Sequence, residues 1–196
     1  MSFRIEKKIK IHKSQLPNFN TWLMENNIKK LYPERKIISL YYDNINKQMF
    51  KDSIEGVLPR KKIRIRFYPN DIKKKISLET KISSFEGRFK KTINYPKENY
   101  GKNIFDKNYG NCYPIIEISY LRNYFFFKDL RITLDKNIQI KRYSESSKIV
   151  NLKEICLEIK AHNNFPQDQL EQLIQWEEIR YSKYCKGIGV MYSKKF

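Results

Sequence analysis

Residues 62–68 read K-I-R-I-R-F-Y, with a cation at every second position and an apolar side chain between them. A period of two belongs to a β-strand, because successive side chains of an extended chain leave on opposite faces. This strand is therefore apolar on one face and carries Lys62, Arg64 and Arg66 on the other. The pattern recurs along the chain. Phe3, Ile5, Ile9 and Ile11 alternate with Arg4, Glu6, Lys8 and Lys10, and Leu78 and Ile82 alternate with Glu79 and Lys81. Ile132 and Leu134 oppose Arg131, Thr133 and Asp135, while Ile155, Leu157 and Ile159 oppose Glu154, Glu158 and Lys160. For one strand the default reading is a solvated polar face over a conventional core. Five such strands would set like charges side by side, which is unfavourable unless an anion sits among them. The pattern therefore predicts a sheet closed into a barrel, with charged faces inward and apolar faces outward beneath helices.

Runs rich in β-branched and aromatic residues predict strands over 3–11, 36–43, 60–68, 76–82, 113–122, 130–135, 138–143 and 154–160. Leu16, Phe19, Leu23 and Met24 fall at helical spacing behind Ser14, predicting a helix that ends near residue 25. Asp168 and Glu171 have capping-box spacing, with Leu170, Leu173, Ile174 and Tyr181 on one face of a helix ending near Tyr181. Residues 95–113 and 144–147 read as loops. The expected architecture is a single α+β, β-dominated domain over 1–196: a closed antiparallel β-barrel with helices packed outside.

The chain carries 40 Lys+Arg against 21 Asp+Glu, a formal net charge of +19 over 196 residues. Such an excess points to an anionic partner: nucleic acid, a phosphate compound or an acidic membrane surface. A coding bias toward Lys, Ile and Asn accounts for part of the lysine content, since Ala161 is the only alanine, but not for where the arginines fall. No apolar run approaches the roughly 20 residues of a membrane-spanning helix. The first eleven residues lack the apolar core of a signal peptide, so the expected location is the cytoplasm. Cys112, Cys156 and Cys185 fit neither a disulfide framework nor a metal-binding pair. His12 and His162 stand alone, which leaves zinc and histidine-triad chemistry without support. Gly187 and Gly189 form a G-x-G without a Walker lysine, and read as a loop. Nucleic-acid binding requires aromatic residues on the cation face, whereas Phe67 falls opposite Arg64 and Arg66.

Eight segments together resemble the VTC (vacuolar transporter chaperone) domain, the polyphosphate polymerase branch of the triphosphate tunnel metalloenzyme (CYTH-like) superfamily. They are R-I-E-K-K at 4–8, S-L-Y-Y-D at 39–43, K-I-R-I-R-F-Y at 62–68, L-E-T-K at 78–81, Y-L-R-N-Y-F at 120–125, R-I-T-L-D at 131–135, L-E-I-K at 157–160 and S-K-Y at 182–184. The resemblance implies a tunnel of about eight antiparallel strands that transfers the terminal phosphoryl group of ATP to a growing inorganic polyphosphate chain. It implies that Lys8, Arg64, Arg66, Lys81, Arg122, Arg131 and Lys183 act on the phosphates. Lys62, Arg88, Lys91, Lys160 and Arg180 are implied as further substrate ligands, and Glu158 with Glu6 as ligands of Mn²⁺ or Mg²⁺. The superfamily's first-strand pattern E-x-E-x-K has Arg4 in its first position here, which fits the polyphosphate branch better than the hydrolases.

The expected partners are ATP and inorganic polyphosphate or triphosphate, with no nucleic acid, no membrane-spanning segment and no protein partner legible in the residues. Two alternatives stay open: a tunnel-type triphosphatase, if water replaces the phosphate chain as acceptor, and a polyanion-binding module without turnover. On sequence grounds, truncating Arg64 or Arg66 relieves repulsion and so spares or raises stability.

Overall fold

The computed structural model describes residues 4–71, 75–144, 148–162, 164–173 and 176–192. In chain order the elements are β1 (Arg4–Ile11), α1 (Leu16–Glu25), β2 (Lys29–Asp43), α2 (Gln48–Glu55), β3 (Arg60–Phe67), β4 (Ile76–Ser84) and β5 (Gly87–Asn94). They continue with β6 (Ile104–Asp106), β7 (Gly110–Phe127), β8 (Leu130–Arg142), β9 (Ile149–Asn151), β10 (Ile155–His162), α3 (Gln167–Leu173) and α4 (Lys183–Tyr192). The strands form one ten-stranded sheet ordered β1-β10-β8-β7-β2-β3-β4-β5, with β6 paired to β7 and β9 to β8. The fold is β-dominated and antiparallel, as the alternating pattern implies. Among the described residues no helix is long and apolar enough to cross a membrane.

The chain gathers into two compact units. The first comprises Met1–Arg35, Tyr120–Ile138 and Leu152–Tyr181. Here β1 pairs with β10 and β10 with β8, so Ile9, Ile11, Ile132, Leu134, Ile155, Leu157 and Ile159 make one apolar face. Phe19 and Trp22 of α1 and Leu170 of α3 cover that face. The helix predicted to end near Tyr181 stops much earlier, and α3 ends at Leu173. Ile174 of that prediction lies outside the described residues. From Trp176 the chain is not helical: Glu178 bridges to Ile9, and the Ile179 amide donates to the Lys8 carbonyl at 2.8 Å. The reason is the free edge of β1, the terminal strand of the sheet, whose unpaired backbone groups this segment satisfies.

The second unit comprises Lys36–Ser119, Gln139–Asn151 and Ser182–Phe196. Leu40, Tyr42, Ile63, Ile65 and Cys112 are buried together with Met49 of α2, a helix that the sequence reading missed. Further elements differ from expectation, among them the short β9. β5 completes a hairpin with β4, and β6 lies inside the stretch read as a loop. The predicted strands 130–135 and 138–143 are one strand, β8, which passes through Asn137 at φ 53°, a left-handed conformation that asparagine tolerates.

Gly187 and Gly189 lie within α4 rather than in a loop. A Cβ at Gly187 would stand 2.7 Å from Ile116 Cδ1 and 3.2 Å from Ile118 Cδ1, whereas one at Gly189 would meet nothing within 4 Å. Glycine at 187 thus sets how closely α4 approaches β7. Gly187→Val is expected to cost about 1–3 kcal/mol by overpacking. Gly189→Ala should be neutral or stabilising by up to about 1 kcal/mol through helix propensity. Urea unfolding of the two variants checks the contrast.

Candidate active site: two buried charge clusters

In the second unit, antiparallel register places the even residues of β3 and the odd residues of β4 on one face. With the even residues of β5 this face carries Arg60, Lys62, Arg64, Arg66, Lys81, Arg88 and Lys90, and a single carboxylate, Glu79. Arg64, Arg66 and Glu79 are 8%, 7% and 4% exposed, which excludes a solvated outer face. Arg64 donates to Glu79 Oε2 through Nε at 2.7 Å and Nη2 at 2.5 Å. Lys90 reaches Oε1 at 2.7 Å, and Arg66 stands 3.8 Å from the same oxygen. Burial alone would raise the Glu79 pKa, but Arg64, Arg66 and Lys90 overcome it and hold the carboxyl at about 2.

The Arg64 Nη1 group donates to the Tyr41 hydroxyl at 2.9 Å. Tyr41 is buried, which ordinarily raises a phenol pKa, yet here the pKa is lowered by Arg64, Arg66 and Lys183. The surroundings of Tyr41 are therefore positive. Tyr41 stacks on Tyr184 of α4 at 5.2 Å between centroids. The Ser182 hydroxyl caps α4, accepting from the Cys185 amide at 3.3 Å and from Lys62 Nζ at 3.0 Å. The positive end of the α4 dipole adds to this field.

The first unit holds a different arrangement. On β1 and β10, Glu6 pairs in register with Lys160 and Lys8 with Glu158. Lys160 lies 2.8 Å from Glu158 Oε1 and 3.4 Å from Glu6 Oε2, and Lys8 lies 2.9 Å from Glu6 Oε1. Burial would raise the pKa of Glu158, but Lys160, Arg122 and Lys8 hold it far below the usual carboxylate range. Glu6 is also lowered, against burial and the repulsion of Glu158, by Lys8 and Lys160. Arg122 makes a bidentate pair with Asp135, Nε to Oδ1 at 2.5 Å and Nη2 to Oδ2 at 2.7 Å, leaving Nη1 outside the pair. The Thr133 hydroxyl, in register with Glu158, is buried without a hydrogen-bond partner.

Among the described residues no three His, Cys, Asp or Glu side chains gather as a complete metal site. Two neighbouring carboxylates are nonetheless the hard-oxygen donor set that suits Mg²⁺ or Mn²⁺ when water and phosphate oxygens supply the other ligands. Glu6 and Glu158 fit that role.

The predicted residues fall into three groups. Lys62, Arg64, Arg66 and Lys81 share the face of the second-unit cluster, and Lys183 lies close enough to Tyr41 to influence its titration. Glu6, Lys8, Arg122, Glu158 and Lys160 assemble in the first unit. The others stand apart from the two centres. Arg88 is exposed near the β4–β5 turn, Arg131 is exposed in register with Lys160, and Arg180 is exposed on the segment after α3. Lys91 is in register with Thr80 on the opposite, apolar face, so Lys90 is the β5 lysine that joins Glu79. Once β5 is recognised as a strand, period two pairs Arg88 with Lys90 and not with Lys91. Sequence reasoning also missed Asp135 as the counter-ion of Arg122, and Tyr41, an aromatic on the cation face that is too buried to stack a nucleic-acid base.

The fold defines a class. An adenylate cyclase proposed in Bacillus halodurans superposes with a TM-score of 0.62 at 11% identity, covering 98% of each chain. One proposed in Vibrio parahaemolyticus gives 0.58 at 13% identity over 93% of this chain and 96% of that one. A proposed adenylyl cyclase from Hippeastrum, described as having a dominant triphosphatase activity, gives 0.57 at 15% identity over 93% of each. At such identities the likeness shows the fold, the CYTH-like fold of the triphosphate tunnel proteins. The family model of the VTC domain matches residues 3–192, and the chain belongs to that family. Comparison with curated proteins by sequence gives no match.

The buried pair corrects the expected effect of truncating Arg64. Arg64→Ala leaves Glu79 short of its closest counter-charge and should destabilise the fold by on the order of 3 kcal/mol. The cations hold Glu79 at about 2 in the folded chain, against 4.5 for an ordinary glutamate. Its contribution is therefore present above pH 4.5 and lost as pH falls toward 2, on the order of 3 kcal/mol in total. Stability measured by urea unfolding between pH 5 and 2 should fall less steeply in Glu79→Gln than in the native chain.

Proposed function

We propose that this protein is a metal-dependent phosphotransferase: a polyphosphate polymerase that moves the terminal phosphoryl group of ATP onto a growing inorganic polyphosphate chain. The observation that carries the reading is the shared face of β3, β4 and β5, where buried Arg64 and Arg66 stand in register with Lys62, Lys81 and Lys90 around one carboxylate, Glu79, in a place where an unneeded charge would be costly. Phosphoryl transfer asks a protein for positioning and charge stabilisation more than for covalent chemistry. Arginines supply both, because their fork matches pairs of phosphate oxygens in a way lysine does not. In this reading Arg64 and Arg66 hold phosphate in the second unit, with Lys81 and Lys183 neutralising its charge and Lys62 and Arg88 as outlying ligands. In the first unit Arg122 and Lys8 have the corresponding roles, with Lys160, Arg131 and Arg180 as outlying ligands. Lys90 takes the place that sequence had given to Lys91. Glu158 and Glu6 would hold Mg²⁺ or Mn²⁺, which when bound supplies charge neutralisation on phosphate oxygens. The terminal oxygen of a phosphate chain attacks, and ADP leaves.

The same groups serve a hydrolase if water is the acceptor, and the fold shared with the Hippeastrum protein favours triphosphate hydrolysis as the second reading. Phosphorus NMR of the protein incubated with ATP and Mn²⁺, with inorganic triphosphate in parallel, separates the two. Resonances of internal phosphates together with ADP are expected. Orthophosphate alone would establish the hydrolase, and unchanged substrates a polyanion-binding module. Arg66→Ala should lower turnover by about a hundredfold or more. Glu158→Gln should abolish the response to metal, and an unaltered Mn²⁺ titration in that variant would remove Glu158 from the ligand set.

A further inference from the structure

The first unit contains an aromatic group that phosphate chemistry leaves unexplained. Tyr124 follows Arg122 on the same face of β7, and the Arg122 guanidinium lies 6.0 Å from its ring centroid. The Tyr32 ring meets Tyr124 edge to face at 5.7 Å. The Arg35 guanidinium sits 4.8 Å from the Tyr32 centroid and 5.7 Å from that of Tyr124. Tyr124 is 7% exposed, but Tyr32 keeps 46% of its surface open. The backbone beneath is pinned, because Glu34 accepts from Asn123 at 2.9 Å and from Lys136 at 2.7 Å. Tyr32 is thus an open ring whose remaining surface is fixed by a cation and a second ring.

An exposed tyrosine alone means little. The position of this one gives it meaning. The two steps place its ring within about 12 Å of Arg122, and the base of an extended nucleoside triphosphate stands on the order of 10 Å from its terminal phosphate by ordinary bond lengths. Stacking on a tyrosine backed by arginine suits a heteroaromatic base, whatever its hydrogen-bonding edge. We propose that Tyr32, oriented by Arg35 and Tyr124, is the stacking platform for the base of a nucleoside triphosphate whose phosphates engage Arg122. The proposal rests on the phosphotransfer reading for its ligand class and adds the part of the ligand that inorganic triphosphate lacks.

The test compares ATP with inorganic triphosphate, in calorimetric binding and in turnover, for the native chain, Tyr32→Ala and Tyr32→Phe. Base stacking is worth about 1–3 kcal/mol by alanine substitution, so Tyr32→Ala should weaken ATP binding about tenfold and leave triphosphate binding unchanged. Tyr32→Phe, which keeps the ring, should bind ATP within about twofold of the native chain. Equal losses for both ligands, or no loss for ATP, would overturn the platform. Binding of ATP that depends on Tyr32 without any turnover would uphold the platform and overturn the phosphotransfer reading. Failure of the native chain to bind either ligand would overturn both.

Discussion

Burying a guanidinium removes it from water at a cost that only close, well-formed counter-charges offset, and among the described residues three are buried. Arg122 is matched one to one by Asp135. Arg64 and Arg66 share Glu79 with Lys90, so four charged groups meet where one carboxylate is available. The two clusters are consequently different in kind. The first unit is close to balance, with Glu6 and Glu158 facing Lys8 and Lys160. Among the described residues the second has fewer carboxylates than cations on its shared face. Its imbalance falls on a rung where Lys62, Lys81 and Lys90 are direct cross-strand neighbours, an arrangement that is unfavourable without an anion.

That deficit is held in place by a hydrogen-bonded framework. Asp43, fully buried at the end of β2, accepts from the amides of Asn44, Met49 and Phe50 at 2.8, 3.0 and 3.0 Å and from the Tyr184 hydroxyl. One carboxylate thus caps α2 and ties it to α4. Burial pushes its pKa up against those bonds. Through Tyr184 the same contact reaches Tyr41, and through Tyr41 it reaches Arg64. A chain of packed rings and hydrogen bonds, each with a partner, fixes the orientation of a guanidinium that lies several residues from any turn.

Much of this was legible because period two is unforgiving: K-I-R-I-R fixes one face of β3 and register carries it to β4, while the alternation of L-E-I-K fixes the face of β10 by itself. The residues that escaped did so for identifiable reasons. β5 reads G-R-F-K-K-T-I-N, whose alternation Lys91 obscures by placing a cation on the apolar face, and with β5 unseen Lys90 had no claim on Glu79. Asp135 was recognised as facing inward, but its pairing with Arg122 depends on a two-residue turn at Lys128 and Asp129, both at positive φ. That turn lacks the glycine or asparagine that usually announces it. α4 was hidden by its glycines, which lower helix propensity while Gly187 serves close packing. The end of α3 was set by the free edge of β1, a tertiary demand that local periodicity does not contain. Arg122 shares parity with Ile116 and Ile118 because the face of β7 changes character along its length, apolar where α4 approaches and, beyond Tyr120, carrying Arg122 beside the Tyr124 ring.

An excess of cations around Glu79 also determines what a ligand does to the fold. A polyanion that enters the second-unit cluster relieves repulsion present in the folded state and absent from the expanded chain, so its binding is linked to stability as well as to chemistry. Long phosphate chains meet more of that face than a single triphosphate, because Arg60 and Arg88 continue it beyond Lys62, Lys81 and Lys90. In the proposed polymerase reading, a lengthening product would meet this extension of positive charge past the Arg64–Glu79 pair, for which hydrolysis of a short triphosphate has no use.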